Sequence, residues 1–397
     1  MKRMIAILAL LLSGLATTAF APKPAENGRG INLVPGHSAL ALELYRELAA
    51  QKGNLFFSPY SVSSALAMTY AGARGATEQE MARVLHFASG QEALHPAFRD
   101  LNRELVAAAD NGGQKLEIAN ALVLTGGDVS DDFKKLVKQY YEAEIFGGKL
   151  EQINAWVRRR THGKIDSILE RLSPNTVCAI LNAVYFKGIW QRRFRKENTA
   201  EAPFRVSEQE RLNVPLMFQK NEFQLLEKED FQAISIPYRG NGLDLVVLLP
   251  RTTTGLGALE QQLSGAALSE WLRELDRQRP RKVRLFLPRF RLETGYDLVP
   301  PFQKLGMKEA FTVGVADFRG MGYPKGDLFI NQIRHKAFVE VNEEGTEAAA
   351  ATAVEMALKA AMPEPLFRAD HPFLFLIRDR TSGALVFLGR LEDPRPQ

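Results

Sequence analysis

The order of helical and strand patterns along the sequence predicts an α+β fold. Most segments with helical spacing of apolar residues lie before residue 172, whereas most alternating or continuously apolar, β-branched segments lie after residue 177. The two kinds do not alternate along the chain, which argues against repeated βαβ units. We therefore expect mixed helices packed on large sheets.

Six segments in the first part of the chain are predicted to be helical. The first three begin at recognisable caps: Ser38, then Ser58 followed by Pro59, and then a capping box that starts at Thr77. Proline is tolerated in the first helical turn, where its missing N–H has no partner to lose. The predicted helices cover 38–50, 59–71, a segment from 77 onward, 95–109, 130–141 and 150–172.

The segment 177–190 predicts a central strand covered on both faces, because it is apolar and β-branched almost throughout. Asn182 stands in its middle. A buried amide needs hydrogen-bond partners, so we expect Asn182 in a polar network. Other strands are predicted at 55–57, 116–124, 233–238, 243–249, 283–290, 328–341, 373–377 and 384–388, with a hairpin turn at 240–242 and a helical block at 256–275.

Length and composition favour one large domain. No linker, charge block or repeat divides the 397 residues, and 46% hydrophobic with 24% charged residues is typical of a soluble globular protein.

The net charge of +5 includes two basic residues at the N-terminus. Two basic clusters predict weak polyanion binding at most, with a solvated basic face as the alternative, and no specific nucleic-acid binding is expected. They are Arg158-Arg159-Arg160 and Arg192-Arg193-Phe194-Arg195-Lys196.

Residues 1–21 have the layout of a secretory signal peptide. Lys2-Arg3 precede an apolar run at 4–15, and small residues follow. A cut after Ala21 would leave Pro22 next to the cleaved bond, so a cut after Ala19 is equally open. We expect a secreted protein, extracellular or periplasmic, that is free of the membrane after processing, since no later stretch reaches about 18 apolar residues.

The cysteine count excludes an internal disulfide. Cys178 is the single cysteine, and apolar residues flank it on both sides. We predict a buried strand residue and not a reactive thiol.

The sequence carries no constellation typical of an enzyme. It lacks G-x-S-x-G, H-E-x-x-H, a phosphate-binding loop and paired-cysteine metal motifs. Ser58, Ser61 and His335 offer the residue types of a nucleophile and a base, but no oxyanion-hole motif accompanies them. We expect no enzymatic activity, no metal and no cofactor, with an exported Ser/His hydrolase as the alternative. The six histidines show no ligand spacing: His37, His86, His95, His162, His335 and His371.

Residues 343–356 combine small side chains with a separation of charge. Alanine content alone favours a helix. Read at period two, Thr346 and every second residue to Met356 form a face without charge, whereas both later glutamates, Glu347 and Glu355, fall on the other face. The segment is therefore suited either to an exposed helix or loop, or to a half-buried strand in a second state.

The run Glu-Glu-Gly-Thr-Glu-Ala-Ala-Ala-Ala-Thr at 343–352 closely resembles the hinge of inhibitory serpins. The segment 367–377 resembles their C-terminal strand signature, and further matches extend from Asn-Leu-Phe-Phe-Ser-Pro at 54–59 to Phe-Leu-Gly-Arg at 387–390. The chain is identified on these motifs as a serpin of the inhibitory, exported, prokaryotic type. The resemblance implies one serpin domain at 36–393, with three β-sheets and an exposed reactive-centre loop at about 343–366.

The resemblance also assigns roles to individual residues. Fourteen residues beyond the hinge glycine, Gly345, the reactive bond falls between Lys359 and Ala360. A shifted loop register would instead place Met356, Leu358 or Met362 before the cleaved bond. The hinge residues are Glu343, Glu344, Gly345, Thr346, Glu347, Ala348, Ala349, Ala350, Ala351 and Thr352. Ser58, Ser61, Asn182 and His335 match the serpin shutter, a structural polar cluster beneath strands that part during loop insertion.

The implied function is inhibition of a serine protease by a suicide substrate. The target attacks the carbonyl of Lys359, and the hinge inserts into the central sheet before the covalent acyl-enzyme is hydrolysed. Lysine at that position suits the carboxylate in the specificity pocket of trypsin-like enzymes. The alternatives are an elastase-like, chymotrypsin-like or cysteine protease as the target, or a non-inhibitory serpin that serves as a binding or chaperone module. We expect a monomer without a cofactor.

Overall fold

Helices dominate the first part of the chain and strands the second, as expected for an α+β fold. The computed structural model describes residues 31–172, 176–344 and 364–395. Its helices are α1 (Val34–Ala49), α2 (Pro59–Tyr70), α3 (Gly75–Val84), α4 (Gln91–Asp110), α5 (Asp131–Tyr141), α6 (Leu150–Arg160), α7 (Leu256–Gln262), α8 (Gly265–Arg277) and α9 (Val299–Lys304). Its strands are β1 (Leu55–Phe57), β2 (Lys115–Leu124), β3 (Glu144–Phe146), β4 (Cys178–Lys187), β5 (Ala200–Arg205), β6 (Arg211–Glu227), β7 (Phe231–Pro237), β8 (Leu243–Pro250), β9 (Arg281–Pro288), β10 (Phe290–Asp297), β11 (Gln332–Val341), β12 (Leu366–Arg368), β13 (Phe373–Asp379) and β14 (Leu385–Leu391).

Five strands form a sheet in the order β10-β11-β4-β2-β3. β10 and β2 run antiparallel to their neighbours β11 and β4. β11 and β4, in contrast, are parallel and pair directly from Gln332 opposite Ala179 to Val339 opposite Phe186. A parallel pair is slightly less stable per residue than an antiparallel pair. The middle of this sheet is therefore the boundary between two long parallel strands.

The remaining nine strands form a continuous set that divides at β6. Residues 211–223 of β6 pair with β5 and β9, and β12 extends β9 at the edge. Residues 224–227 of the same strand pair with β7, which continues through β8, β13 and β14 to β1. With the five-stranded sheet, these two halves give the three-sheet arrangement that the resemblance implied.

β4 is buried on both faces, as its sequence predicted. Every residue from Cys178 to Phe186 is buried. Ala179 and Leu181 pack on one face with Trp156 of α6, whereas Ile180 joins the larger core on the other face. α2 also contacts β4. The boundary between β11 and β4 is thus covered by α6 and its surroundings on one side and lies over the main core on the other.

The reactive-centre loop predicted at about 343–366 connects two different sheets. β11 ends at Val341 in the five-stranded sheet, and β12 begins at Leu366 on the edge of β9. Of the loop, the structure describes only its first residues and those from 364 onward. Its two ends are therefore anchored in separate sheets.

The prediction that Ser38 caps the first helix is wrong. α1 begins at Val34, with Pro35 in its first turn. The Asn32 Oδ1 atom accepts a hydrogen bond from the Val34 N–H at 3.0 Å. Ser38 consequently lies within the helix.

The capping box predicted at Thr77 is also wrong. α3 begins at Gly75, where φ is +57°, and Thr77 is buried inside the helix. The Thr77 hydroxyl accepts a hydrogen bond from the Asp317 N–H at 3.0 Å. The Thr77 hydroxyl therefore bonds to a residue that is distant in the sequence and does not cap the helix.

The helix predicted over 150–172 is wrong beyond Arg160. His162 and Gly163 adopt φ values of 52° and 73°, a left-handed turn that ends α6. Ile165 and Ile168 are nevertheless buried in the same apolar cluster as Trp156. The apolar residues of this segment are therefore buried even though the segment itself is not helical.

Two further predicted segments are each divided. Ser264 caps α8 by accepting the Ala267 N–H at 3.2 Å, so the block at 256–275 forms two helices. The strand predicted at 283–290 ends at Pro288, and β10 begins at Phe290. The predicted hairpin turn is confirmed: Gly240 and Asn241 both have positive φ between β7 and β8.

Candidate functional site

The candidate site extends from the end of β11 along the boundary between β11 and β4. Glu343 and Glu344, which we call the hinge base, are the only predicted hinge residues in the part of the chain that the structure describes. The hinge residues from Gly345 to Thr352 and the predicted reactive bond between Lys359 and Ala360 lie outside it.

Glu343 is a buried carboxylate with two partners. Its side chain is 3% exposed and forms an ion pair with Arg289, in the link between β9 and β10. The Thr199 hydroxyl donates to Glu343 Oε1 at 2.6 Å. Burial raises the pKa of Glu343, but hydrogen bonds from Arg289 and Thr199 outweigh it, and the net pKa is lowered. The start of the hinge is thereby tied to the neighbouring sheet.

Glu344 is held by weaker, solvent-exposed contacts. Lys196 Nζ lies 2.6 Å from Glu344 Oε1, with 67% of the lysine side chain exposed. The hydrogen bond from Lys196 lowers the pKa of Glu344. The Glu344 N–H donates to Asn342 Oδ1 at 3.0 Å. Exposed ion pairs of this kind contribute little to stability.

Arg289→Met is expected to lower the free energy of unfolding of the uncleaved protein by about 1–3 kcal/mol, because it leaves the buried Glu343 carboxylate without its cation. Lys196→Met is the matched control at the exposed partner of Glu344 and should leave the urea midpoint nearly unchanged. Equal shifts of the urea midpoint for the two variants would contradict the expected difference between the buried ion pair of Glu343 and the exposed ion pair of Glu344. Urea unfolding followed by circular dichroism measures both.

Trp190 fixes the end of β11 next to the hinge base. Its Nε1–H donates to the backbone carbonyl of Asn342 at 2.8 Å. The indole stacks on Tyr238 with a centroid separation of 4.6 Å and an interplanar angle of 7°. An aromatic pair from another part of the sheet system thus supports the residue at which the chain leaves β11.

The structure brings all four predicted shutter residues together beneath the β11/β4 boundary. Asn182 Nδ2 donates to Ser61 Oγ at 2.5 Å and to Asn120 Oδ1 at 2.6 Å. His335 Nδ1 lies 2.5 Å from Asn182 Oδ1, and these two residues are opposite each other in the strand register. Their hydrogen bond therefore crosses the boundary between the two parallel strands.

The remaining hydrogen bonds fix the tautomer of His335. The Ser58 N–H donates to His335 Nε2 at 3.1 Å, so Nε2 is unprotonated and Nδ1 carries the proton donated to Asn182. The Ser58 hydroxyl donates to the Val386 carbonyl at 2.7 Å and accepts the Ser61 N–H at 3.2 Å. The network thus has a consistent arrangement of donors and acceptors that requires a neutral imidazole.

Sequence reasoning missed Asn120. It lies opposite Asn182 in β2, is 3% exposed, and donates to Ser64 Oγ at 3.2 Å. A single amide in the apolar strand predicted at 116–124 was the same signal that singled out Asn182. The side chains of the network therefore come from three strands, β2, β4 and β11, and from the start of α2, and the Ser58 hydroxyl joins them to the backbone of β14.

Three buried histidines make stability depend on pH. Burial lowers the pKa of His335 to about 3, and it is the largest cause that lowers those of His37 and His95 to about 4. Their unfolded pKa is about 6.5. Because the folded values lie below the unfolded one, the unfolded chain binds more protons between these values. The stability from the neutral imidazoles is complete above about pH 6.5 and is lost as pH falls toward 4 and 3.

We expect the urea midpoint to fall steadily from pH 6.5 to pH 4, with uptake of up to about three protons on unfolding from these histidines. The carboxylates of Glu343 and Glu344 have lowered pKa values and add to the loss at the acid end. A midpoint that stays constant between pH 6.5 and 5 would contradict this expectation, since carboxylates with normal or lowered pKa titrate mainly below that range.

Burial opposes the hydrolase alternative. Ser58, Ser61 and His335 are each 0% exposed, so a substrate has no access to them. Burial also raises the pKa of Cys178 to about 12, which fits the predicted inert strand residue.

Within residues 31–172, 176–344 and 364–395, no group of three or more His, Cys, Asp or Glu side chains is arranged to hold a metal ion. No helix in these ranges has the length and apolar character needed to cross a bilayer.

The two basic clusters lie on different elements. Arg158 and Arg159 are exposed at the end of α6. Arg192 and Lys196 are exposed after β4, where Arg192 donates to Asn221 Oδ1 at 3.0 Å and Lys196 pairs with Glu344. Polyanion binding by either cluster stays a prediction.

Comparisons with known proteins agree with this architecture. The family described as Serpin (serine protease inhibitor) matches residues 35–394. Serpin B6 of Macaca fascicularis is 40% identical over 380 residues, which cover 91% of this chain and 99% of the relative. The leukocyte elastase inhibitor of Sus scrofa is 39% identical over 384 residues, with the same coverage. The crystal structure of uncleaved ovalbumin superposes with a TM-score of 0.82 at 27% identity, covering 92% of this chain and all of ovalbumin. The chain therefore belongs to the serpins, a family of protease inhibitors and not of catalytic enzymes.

Proposed function

We propose that this protein inhibits a serine protease as a suicide substrate, by inserting its cleaved loop between β11 and β4. The observation that carries the proposal is the position of the hinge base at the end of β11. That strand lies beside a parallel neighbour with no strand between them. A segment that turned back after Glu344 would enter this boundary antiparallel to both strands.

Insertion exchanges one parallel ladder for two antiparallel ones. Antiparallel pairing is slightly more stable per residue, and the new strand adds its own ladder hydrogen bonds. The exchange must break the hydrogen bond between His335 and Asn182, which joins β11 to β4. Small, uncharged residues on the predicted inward face of the hinge limit the desolvation cost of entry. The uncleaved state is then metastable, held by the network and by the loop's two anchors.

The covalent step follows from the chemistry of serine proteases. The catalytic serine attacks the carbonyl carbon of Lys359, the bond to Ala360 breaks, and the new amine of Ala360 leaves with the proton supplied by the protease histidine. The inhibitor's new chain end is then an ester on the protease. Insertion of the hinge competes with hydrolysis of this ester, and the faster rate decides between trapping and turnover.

We propose a trypsin-like target, because the position fourteen residues beyond Gly345 holds a lysine. The name of the relative in Sus scrofa favours an elastase-like enzyme as the second candidate. Met356, Leu358 or Met362 would then precede the cleaved bond. The two candidates differ in the expected cleavage site.

Incubation with trypsin and, separately, with leukocyte elastase tests both candidates. We expect a detergent-stable complex with trypsin at the summed mass of the two proteins. The released C-terminal fragment should begin at Ala360 in mass spectrometry. A fragment beginning at Ala357, Lys359 or Pro363, formed with elastase, would move the reactive bond to the second candidate. Cleavage by a panel of serine and cysteine proteases without any stable complex would contradict inhibition and favour a binding or chaperone role.

We propose further that the protein is exported by residues 1–21. The support is the order of Lys2-Arg3, an apolar run and small residues. N-terminal sequencing of the protein from the culture medium or periplasm should give a chain that begins after Ala19 or Ala21. Recovery of the full-length chain only inside the cell would contradict export.

A further inference from the structure

A cleft of about 650 Å³ lies on the five-stranded sheet at the end of β11 remote from the hinge base. Its walls are β10, the first half of β11, and residues 167–172, which we call the 167–172 segment. Small-molecule sites in proteins usually have volumes of about 300–1,000 Å³. The cleft is therefore large enough for a small organic ligand.

Positive charge predominates around this cleft. Arg334 and Lys336 reach it from β11, and Arg171 from the 167–172 segment, whereas Glu170 is the one acidic residue in its lining. Arg334 also pairs with Asp297 at 3.4 Å. Cations from two walls that converge on one cleft favour a ligand with more than one negative charge.

Two buried polar atoms in the lining have no hydrogen-bond partner among the described residues. Arg334 Nε is a donor, and Gln332 Oε1 is an acceptor. Unpaired buried polar groups are costly, and natural proteins rarely leave them unsatisfied. A carboxylate or phosphate oxygen would satisfy the guanidinium, and a hydroxyl group of the ligand would satisfy the amide oxygen.

Gly295 leaves room for Lys336 at the edge of the cleft. The two residues are opposite each other in the β10/β11 register. A Cβ atom at position 295 would lie 3.2 Å from Lys336 Cε and 3.4 Å from its Cγ. The lysine side chain thus lies across the glycine, along the wall of the cleft.

We propose that this cleft binds a small organic polyanion that carries a hydroxyl group, held by Arg334 and Lys336 on β11 and by Arg171 on the 167–172 segment. The Gln332 amide oxygen accepts the hydroxyl. The positive charge of the lining and the unpaired Arg334 donor favour the anionic groups of this ligand. The unpaired Gln332 acceptor favours its hydroxyl group.

The site would also link the two sides of the β11/β4 boundary. Ile168 and Leu169 of the 167–172 segment belong to the apolar cluster of Ala179 and Leu181 in β4. A ligand held by this segment and by β11 therefore bridges the two parallel strands across the line of insertion. Because the ligand binds the closed arrangement, it should stabilise the uncleaved protein and slow insertion. This consequence rests on the proposed inhibitory function.

Calorimetric titration of the uncleaved full chain with citrate, at constant ionic strength, tests the site. We expect saturable binding at one site. Arg171→Gln and Lys336→Gln should each weaken it about tenfold or more, since each removes a charge-assisted hydrogen bond. The matched control is Arg158→Gln, which removes an exposed cation from α6 and should leave the affinity unchanged. Absence of saturable binding, or equal weakening by all three substitutions, would overturn the proposal.

Tricarballylate, which is citrate without its hydroxyl group, tests the role of Gln332. It should bind several-fold more weakly than citrate, and Gln332→Leu should abolish the difference. Equal affinities of the unsubstituted protein for the two anions would contradict the proposed role of the hydroxyl group.

The bridging role has a separate test. Saturating citrate should raise the number of inhibitor molecules consumed per protease silenced, and the Lys336→Gln variant should lose this response. An unchanged ratio despite calorimetric binding would overturn the bridge. Failure of the proposed inhibitory function is distinguishable, because no stable protease complex would form with or without citrate while the calorimetric result stood.

Discussion

Replacing Thr346 with arginine is expected to convert the inhibitor into a substrate without unfolding the uncleaved protein. The residue belongs to the predicted exposed loop, where substitutions usually change stability by no more than about 0.5 kcal/mol. After cleavage it would have to enter the sheet. An unpaired buried cation costs several kcal/mol, which corresponds to a slowing of insertion by about a hundredfold or more. Hydrolysis of the acyl-enzyme would then be faster than insertion, and the protease would be released.

The burial pattern of β11 leads us to expect an inward orientation of this position in the proposed inserted state. Residues of odd number in β11, from Ile333 to Val341, are buried toward the main core, and residues opposite each other in antiparallel strands share a face. With a turn at residues 342–345, Thr346 would lie opposite Val341, which is 2% exposed. Arginine there would face the core.

Glu347→Arg is the matched control, one residue further on. In the same register position 347 lies opposite Glu340, which is exposed. An arginine there stays in solvent beside an acidic side chain, so inhibition should be largely retained. The moles of inhibitor consumed per protease silenced, measured for both variants with trypsin, decide the point. Similar ratios would contradict the alternating faces of the hinge.

Sequence patterns predicted those parts of the site that depend on local composition. The continuous apolar run around Asn182 indicated a strand buried on both faces, and a buried amide requires partners wherever it lies. The same reasoning applied to Asn120 would have completed the network. Which groups satisfy these amides depends on strand order, which a pattern within one strand does not contain.

The partners of Glu343 in the hinge base could not be derived in this way. Arg289 and Thr199 are 54 and 144 residues from Glu343 in the sequence, and neither belongs to a motif that indicates pairing. Only the meeting of separate sheets near the end of β11 brings them to this carboxylate. The helix predicted beyond Arg160 failed for a related reason. Apolar residues at helical spacing are buried there by tertiary contacts, whereas the left-handed turn at His162 and Gly163 breaks the helix locally.

Asn182→Leu is expected to lower the free energy of unfolding of the uncleaved protein by roughly 3–5 kcal/mol. The leucine has nearly the same shape but leaves Ser61, Asn120 and the His335 Nδ1–H without their partner in a fully buried cluster. The control is Asn213→Leu on β6, where the residue is exposed and the change should stay within about 0.5 kcal/mol.

The cleaved form of the same variant separates a boundary role from a general packing role. In the proposed inserted state a new strand lies between β11 and β4, so the hydrogen bond between His335 and Asn182 is already broken and both residues have new neighbours. The leucine should therefore cost less in the cleaved protein than in the uncleaved one. Urea midpoints of both forms, before and after limited proteolysis of the loop, measure the difference. Equal losses in the two forms would show that the network stabilises the core without acting at the boundary that insertion must open.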